Sequence, residues 1–173
     1  FDSAGGWVKI AGGTGPSSAV TSISLTNIFS AAYHVYKVYL FWSQDDWMKC
    51  RVMTSSGDVN NNYMWTGLYS KERTDGDGRY GGHGSDHGIA TYYNSEDNAG
   101  MTCELTFIDP FNSSKETTWN SMAGYREGST MWLEMCSNIN SNVQSHTGIR
   151  IFGNNGDAIT DSNFNYVVLG AKI

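Results

Sequence analysis

The residues best suited to chemistry lie between Asp75 and His87. Asp75-Gly-Asp77-Gly-Arg79 is followed by His83, Asp86 and His87, which pairs carboxylates fit for a hard cation with imidazoles fit for zinc or iron. An EF-hand register counted from Asp75 fails: Arg79 takes the fifth position, Tyr80 stands where the invariant glycine belongs, and Asp86 stands where a bidentate glutamate is required. The pattern His83-x-x-Asp86-His87 is compatible with a two-histidine, one-carboxylate site, but such ligands need a scaffold that a glycine-rich loop does not supply. Turn-forming Gly and Asp with exposed histidines is the favoured reading, and no metal site is expected. Acid–base hydrolysis needs two carboxylates a few ångströms apart, and spacing does not pair Asp45, Asp46, Glu104, Asp109 or Glu134. The chain has no Gly-x-Ser-x-Gly elbow, P-loop or HExxH, and His34, His83, His87 and His146 have no motif partners. No catalytic residue and no cofactor are expected, and the chain reads as a non-enzyme.

Aromatic residues carry the remaining signal. Six Trp and ten Tyr in 173 residues are many, and an aromatic plate beside Asn, Asp or Gln is the usual way to hold a sugar ring. Trp42, Trp132 and Tyr36 lie in apolar strand patterns and are expected to fill the core. Trp65, Tyr69, Tyr80, Tyr92 and Tyr93 border the long loop or lie in it, and are the expected ligand-binding residues.

The elements that must position them are strands. Helical periodicity is absent, and apolar stretches alternate or form short β-branched and aromatic runs bounded by Gly, Asn, Asp and Ser. Strands are predicted at residues 7–11, 18–25, 34–42, 47–54, 62–70, 88–93, 101–109, 116–123, 130–136, 147–152 and 163–172, a spacing that suits a sandwich or barrel. Met101, Cys103, Leu105 and Phe107 should face inward against Thr102, Glu104 and Thr106, and Met48, Cys50 and Val52 against Lys49 and Arg51. By the same alternation Met131, Leu133 and Met135 should face inward and Glu134 outward. The strand at 34–42 is apolar on both faces and should be covered on both. Ser70–His87 has no convincing strand, and so long a loop tends to be functional; Ser137–His146 is a second irregular patch. With no repeat or linker, residues 1–173 form a single domain.

Charge and composition narrow the functions. Leu, Ile, Val and Phe number only 32, but net charge is just −6 and the aromatic fraction is 13%, so an aromatic-rich core replaces an aliphatic one. Seventeen acids against eleven bases, with no basic cluster, disfavour nucleic acid. No apolar run is long enough to insert in a membrane as a helix. Cys50, Cys103 and Cys136 are odd in number and widely spaced, so reduced, buried thiols and assembly in a reducing cytoplasm are expected. The opening Phe1-Asp2-Ser3-Ala4-Gly5-Gly6 has no basic leader and reads as the continuation of a longer protein.

Two stretches resemble a family. Trp7-Val8-Lys9-Ile10 with the run from Ser22 through Leu25-Thr26-Asn27-Ile28-Phe29 to Leu40 is similar to the start of β-rich distal domains in tail-fibre and appendage proteins of marine tailed phages, cyanophages above all. Gly148-Ile149-Arg150-Ile151-Phe152-Gly153 and Tyr166-Val167-Val168-Leu169-Gly170-Ala171-Lys172-Ile173 are similar to their close. Together they cover about a third of the chain, and the middle matches no family. The resemblance implies an all-β, antiparallel jelly-roll-like β-sandwich of about ten strands, the C-terminal part of a fibre protein. It implies a homotrimer on the virion surface, packed with other virion proteins and attaching to a host surface glycan or protein. The loops at 54–62, 71–88 and 137–146 are then the contact surface. A capsid decoration or head-fibre protein is the structural alternative, and a polysaccharide-degrading enzyme the catalytic one.

Overall fold

The computed structural model describes residues 6–43, 47–71, 78–91, 100–127, 129–154, 156, 158–160 and 162–172. These residues fold as an all-β sandwich of two antiparallel sheets, without a helix among them. In chain order the strands are β1 (Val8–Thr14), β2 (Ser22–Leu25), β3 (Val35–Trp42), β4 (Met48–Thr54), β5 (Gly57–Asp58), β6 (Tyr63–Lys71) and β7 (Gly78–Ser85). They continue with β8 (Gly88–Ile89), β9 (Met101–Ile108), β10 (Thr117–Glu127), β11 (Thr130–Asn140), β12 (Gly148–Gly153) and β13 (Phe164–Ala171). The large sheet runs β1-β13-β3-β9-β10-β11-β6-β7; the small sheet runs β2-β12-β4-β5, with β8 also paired to β4. Thirteen strands replace the expected ten or so. The additions are β5, a two-residue pairing on β4 that no periodicity reveals, and β7; of the strand expected at 88–93, Gly88–Ile89 pair with β4 as β8.

The core lies between the sheets and is aromatic, as the composition required. Trp42, Trp119, Tyr36, Tyr63, Tyr125, Phe107 and Phe164 are its largest fully enclosed side chains. Two of the buried phenols, Tyr36 and Tyr63, find polar partners, as burial favours. Tyr36 donates to the Ser30 carbonyl at 2.8 Å, and Tyr63 donates to the Val59 carbonyl at 2.6 Å while accepting the Val52 N–H at 3.0 Å. Polar groups stitch β8 and the chain beyond it onto the large sheet. Asn138 Oδ1 accepts the Ile89 N–H at 2.8 Å, Ser121 donates to the Ile89 carbonyl at 3.3 Å, and Cys103 donates to the Ala90 carbonyl at 3.4 Å. Cys50, Cys103 and Cys136 are free and buried.

Three expectations change. Residues 78–85 form strand β7 within the stretch expected to be loop, paired to β6 along the edge of the large sheet. A strand bearing four glycines carries little β-propensity of its own; neighbouring aromatic rings hold it, as described below. Strand β3 buries Tyr36, Val38, Leu40 and Trp42, but its other face is open, with Phe41 exposed. Strand β11 alternates as expected but in the opposite phase. Glu134 is 1% exposed whereas Met131, Leu133 and Met135 are 53%, 48% and 55% exposed. Pairing with β10 fixes this phase, because Trp132 lies opposite Tyr125 and Asn138 opposite Trp119, both rings belonging to the core. Their burial outweighs that of three flexible aliphatic chains.

Candidate functional site

Three of the expected ligand-binding residues come together. Trp65 and Tyr69 on β6 and Tyr80 on β7 point to the same face, each half-buried. Tyr80 lies between the other two, with ring centroids 5.7 Å from Trp65 and 6.2 Å from Tyr69. The ladder continues through Trp132, 5.4 Å from Tyr69, to Tyr125, stacked on Trp132 at 6.0 Å. Lys71 Nζ caps it 4.7 Å from the Trp132 ring centre. Tyr92 and Tyr93 lie outside the described residues, as do Asp45, Asp46, Asp75 and Asp77.

Glycine makes the ladder possible. Cross-strand pairs alternate ring and glycine: Trp65 with Gly82, Tyr80 with Gly67, Tyr69 with Gly78. Each ring lies over the glycine opposite it, so a Cβ on Gly67 would sit 2.5 Å from Tyr80 Cζ and one on Gly82 2.6 Å from Trp65 Nε1. Rings that cover cross-strand glycines supply the packing those residues lack.

Behind the rings lies a polar cluster that the sequence pattern placed outside. Tyr80 donates to Glu134 Oε1 at 2.7 Å, and the Cys136 thiol lies 2.9 Å from the same phenol oxygen. Burial raises the Tyr80 pKa, and the neighbouring Cys136 and Glu134 raise it further. Burial also pushes the Cys136 thiol up to about 11. Tyrosine and thiol therefore stay protonated at neutral pH, and neither offers a base or a nucleophile. Asp86, the carboxylate of the His83-x-x-Asp86-His87 pattern, is engaged by Arg51 and by His87 Nδ1, 2.6 Å away. Among the described residues no three His, Cys, Asp or Glu side chains converge on one point.

The outer face of the large sheet is the second feature, missed because β11 was read in the wrong phase. One rung crosses six strands in register as Tyr39–Glu104–Met122–Met135–Leu68–Arg79. The next reads Phe41–Thr102–Gly124–Leu133–Ser70, with Met131 beyond it beside Arg126. Phe41, Leu68, Met122, Met131, Leu133 and Met135 are each between 46% and 57% exposed. On the other side the apolar rung is bounded by the polar rung Lys37–Thr106–Asn120–Ser137–Thr66. Two depressions flank Leu133. One, of about 500 Å³, is lined by Leu68, Arg79 and Met135, and the other, of about 350 Å³, by Phe41, Met122 and Gly124. Lys37 donates to Glu104 at 2.6 Å. Burial pushes the Glu104 carboxyl up, but hydrogen bonds from Lys37, Thr106 and Tyr39 outweigh it and hold the pKa below the ordinary value. The signal for this face was in the sequence. Continuing the strand at 116–123 to Glu127 pairs Arg126 with Met131 and turns Met135 outward.

The contact loops expected at 54–62, 71–88 and 137–146 are partly strand: β5 lies in the first, β7 in the second, and β11 runs to Asn140 in the third. No family model and no curated protein matches the chain. Among solved structures, a marine PL-14 alginate lyase from Aplysia kurodai aligns over 83% of this chain and 70% of its own, at 7% identity and a TM-score of 0.30.

Proposed function

We propose that the chain is a non-enzymatic attachment module of a virion appendage, the distal domain of a tail fibre. It holds a host-surface glycan on the aromatic rim of Trp65, Tyr69 and Tyr80. The observation that carries the binding role is that rim: three half-buried rings on adjacent strands, backed by Trp132. Stacked plates at a sheet edge suit the C–H face of a pyranose, and each ring is worth on the order of 1 kcal/mol beyond the area it buries. The virion assignment rests on the resemblance of the first and last strand regions to phage appendage domains. The non-enzymatic reading is supported by the Tyr80–Glu134–Cys136 cluster, whose acid is buried and whose phenol and thiol are held protonated.

The test is binding of the purified protein to arrayed bacterial surface polysaccharides and to intact cells, with Trp65→Ala and Tyr69→Ala alongside. Each variant should lose about tenfold in affinity, equivalent to about 1.4 kcal/mol, while the sandwich core stays folded and any loosening is confined to the edge strand β7. The isolated protein should also block adsorption of a phage carrying it. Absence of glycan binding would refute the rim as a sugar site. New reducing ends or unsaturated products would make the protein an enzyme.

A further inference from the structure

We propose that the outer face of the large sheet is a self-association surface, covered by a second copy of this chain about an axis running along β11 at Met135. This inference is independent of the glycan reading, which uses the opposite face of β6 and β7.

An acid faces the interior of β11 while Met131, Leu133 and Met135 face out, the reverse of what an isolated domain gains from burial. The six exposed side chains are contiguous and present roughly 600 Å² of apolar surface, at the upper limit for a monomer's largest patch and near the core of an interface burying about 800 Å² per partner. Polar residues rim it. Methionines and leucines fit irregular partners well, and the depressions on either side of Leu133 give such side chains somewhere to enter.

Charge identifies the occupant. The rung Glu104–Met122–Met135–Leu68–Arg79 is antisymmetric about Met135, with apolar residues one strand away on each side and opposite charges two strands away. Rotation about an axis along β11 at Met135 exchanges the two halves. Met135 then meets its own copy, Met122 meets Leu68, and Arg79 meets Glu104, whose carboxylate also accepts from Lys37 within its own chain. Arg79 is exposed and takes no part in the ion pairs of the described residues. A two-fold and a three-fold axis in this position bring the same halves together, and both close without leaving a sticky face.

The full chain should sediment as a dimer or trimer at high micromolar concentration. Met135→Glu should convert it to a monomer with unchanged circular dichroism. Gly124→Trp, which fills one depression where an added Cβ meets nothing closer than 4.0 Å, should do the same. Arg79→Glu should weaken association about tenfold, and Arg79→Glu with Glu104→Lys and Lys37→Glu in one chain, which keeps the 37–104 pair with its signs reversed, should restore it. The proposal is overturned by a monomeric wild type, by an oligomer that survives both Met135→Glu and Gly124→Trp, or by failure of the charge swap to restore what Arg79→Glu loses. A monomer that captures a glycan or another protein through this face would assign it to that occupant instead.

Discussion

A phenol held between a carboxylate and a thiol has both its proton and a lone pair committed, so removing it leaves two buried neighbours each short of a bond. Tyr80 stands in that position, with Glu134 and Cys136 behind it. Tyr80→Phe should destabilise the fold by about 1–3 kcal/mol, read from urea unfolding. Gly67→Ala pushes the same ring from the other side and should cost a similar amount. The two changes combined should cost less than their sum, because both act on one hydroxyl. His146 gives a pH signature. Its Nδ1 lies 2.7 Å from the Thr117 hydroxyl and its backbone N–H donates to the Pro110 carbonyl at 2.9 Å, anchoring the chain between β11 and β12. Burial lowers its pKa from 6.5 to about 4. The unfolded chain takes up a proton below pH 6.5 that the folded chain refuses until about pH 4, so stability falls across that window and levels off beneath it. His87, also held below 6.5 by burial, adds to the slope. The loss from His146 is about 3 kcal/mol, and melts of the wild type and His146→Gln between pH 4 and 7 should differ by that component.

At the scale of elements, period-two patterning was a good guide wherever one face of a strand was plainly richer in apolar residues. In β4 and β9 the alternation assigned the buried side chains correctly. It failed on β11, where Trp132 and Cys136 share a face with Glu134, Asn138 and Asn140, while the opposite face carries Met131, Leu133, Met135 and Ile139. Counting apolar residues favours the wrong face there, and the hairpin register with β10 is what decides. It failed also on β7, whose glycines gain their packing from rings on β6, an interaction invisible within the strand's own sequence. The candidate site was legible to the same extent: Trp65, Tyr69 and Tyr80 were picked out by composition and position, but their stacking depends on that unrecognised strand. Glycine has different weights in different pairings. A Cβ on Gly148 would press into the Leu25 carbonyl of β2, a backbone atom that cannot step aside, whereas one on Gly124 makes only ordinary contacts at 4.0 Å. Gly148→Ala should therefore lower the melting temperature by many degrees and detach β2 from β12, while Gly124→Ala should stay within about 0.5 kcal/mol of wild type. Thermal melts of the two variants provide the comparison.

For the molecule as a whole, the large sheet carries two distinct surfaces back to back: an aromatic rim at one end of its inner side and a methionine-rich field outside. A sandwich arranged so can be held in an assembly through one side and remain free to touch a ligand with the other. The order of strands sets a further condition. β13 lies between β1 and β3, and among the described residues β1 pairs with no other strand. During synthesis the first strand must therefore wait, unpaired, for one made more than a hundred residues later. Closure of the large sheet accordingly waits for Phe164–Ala171 to be made, and a nascent chain stalled short of Phe164 exposes the aromatic interior to chaperones and to its neighbours on the same polysome.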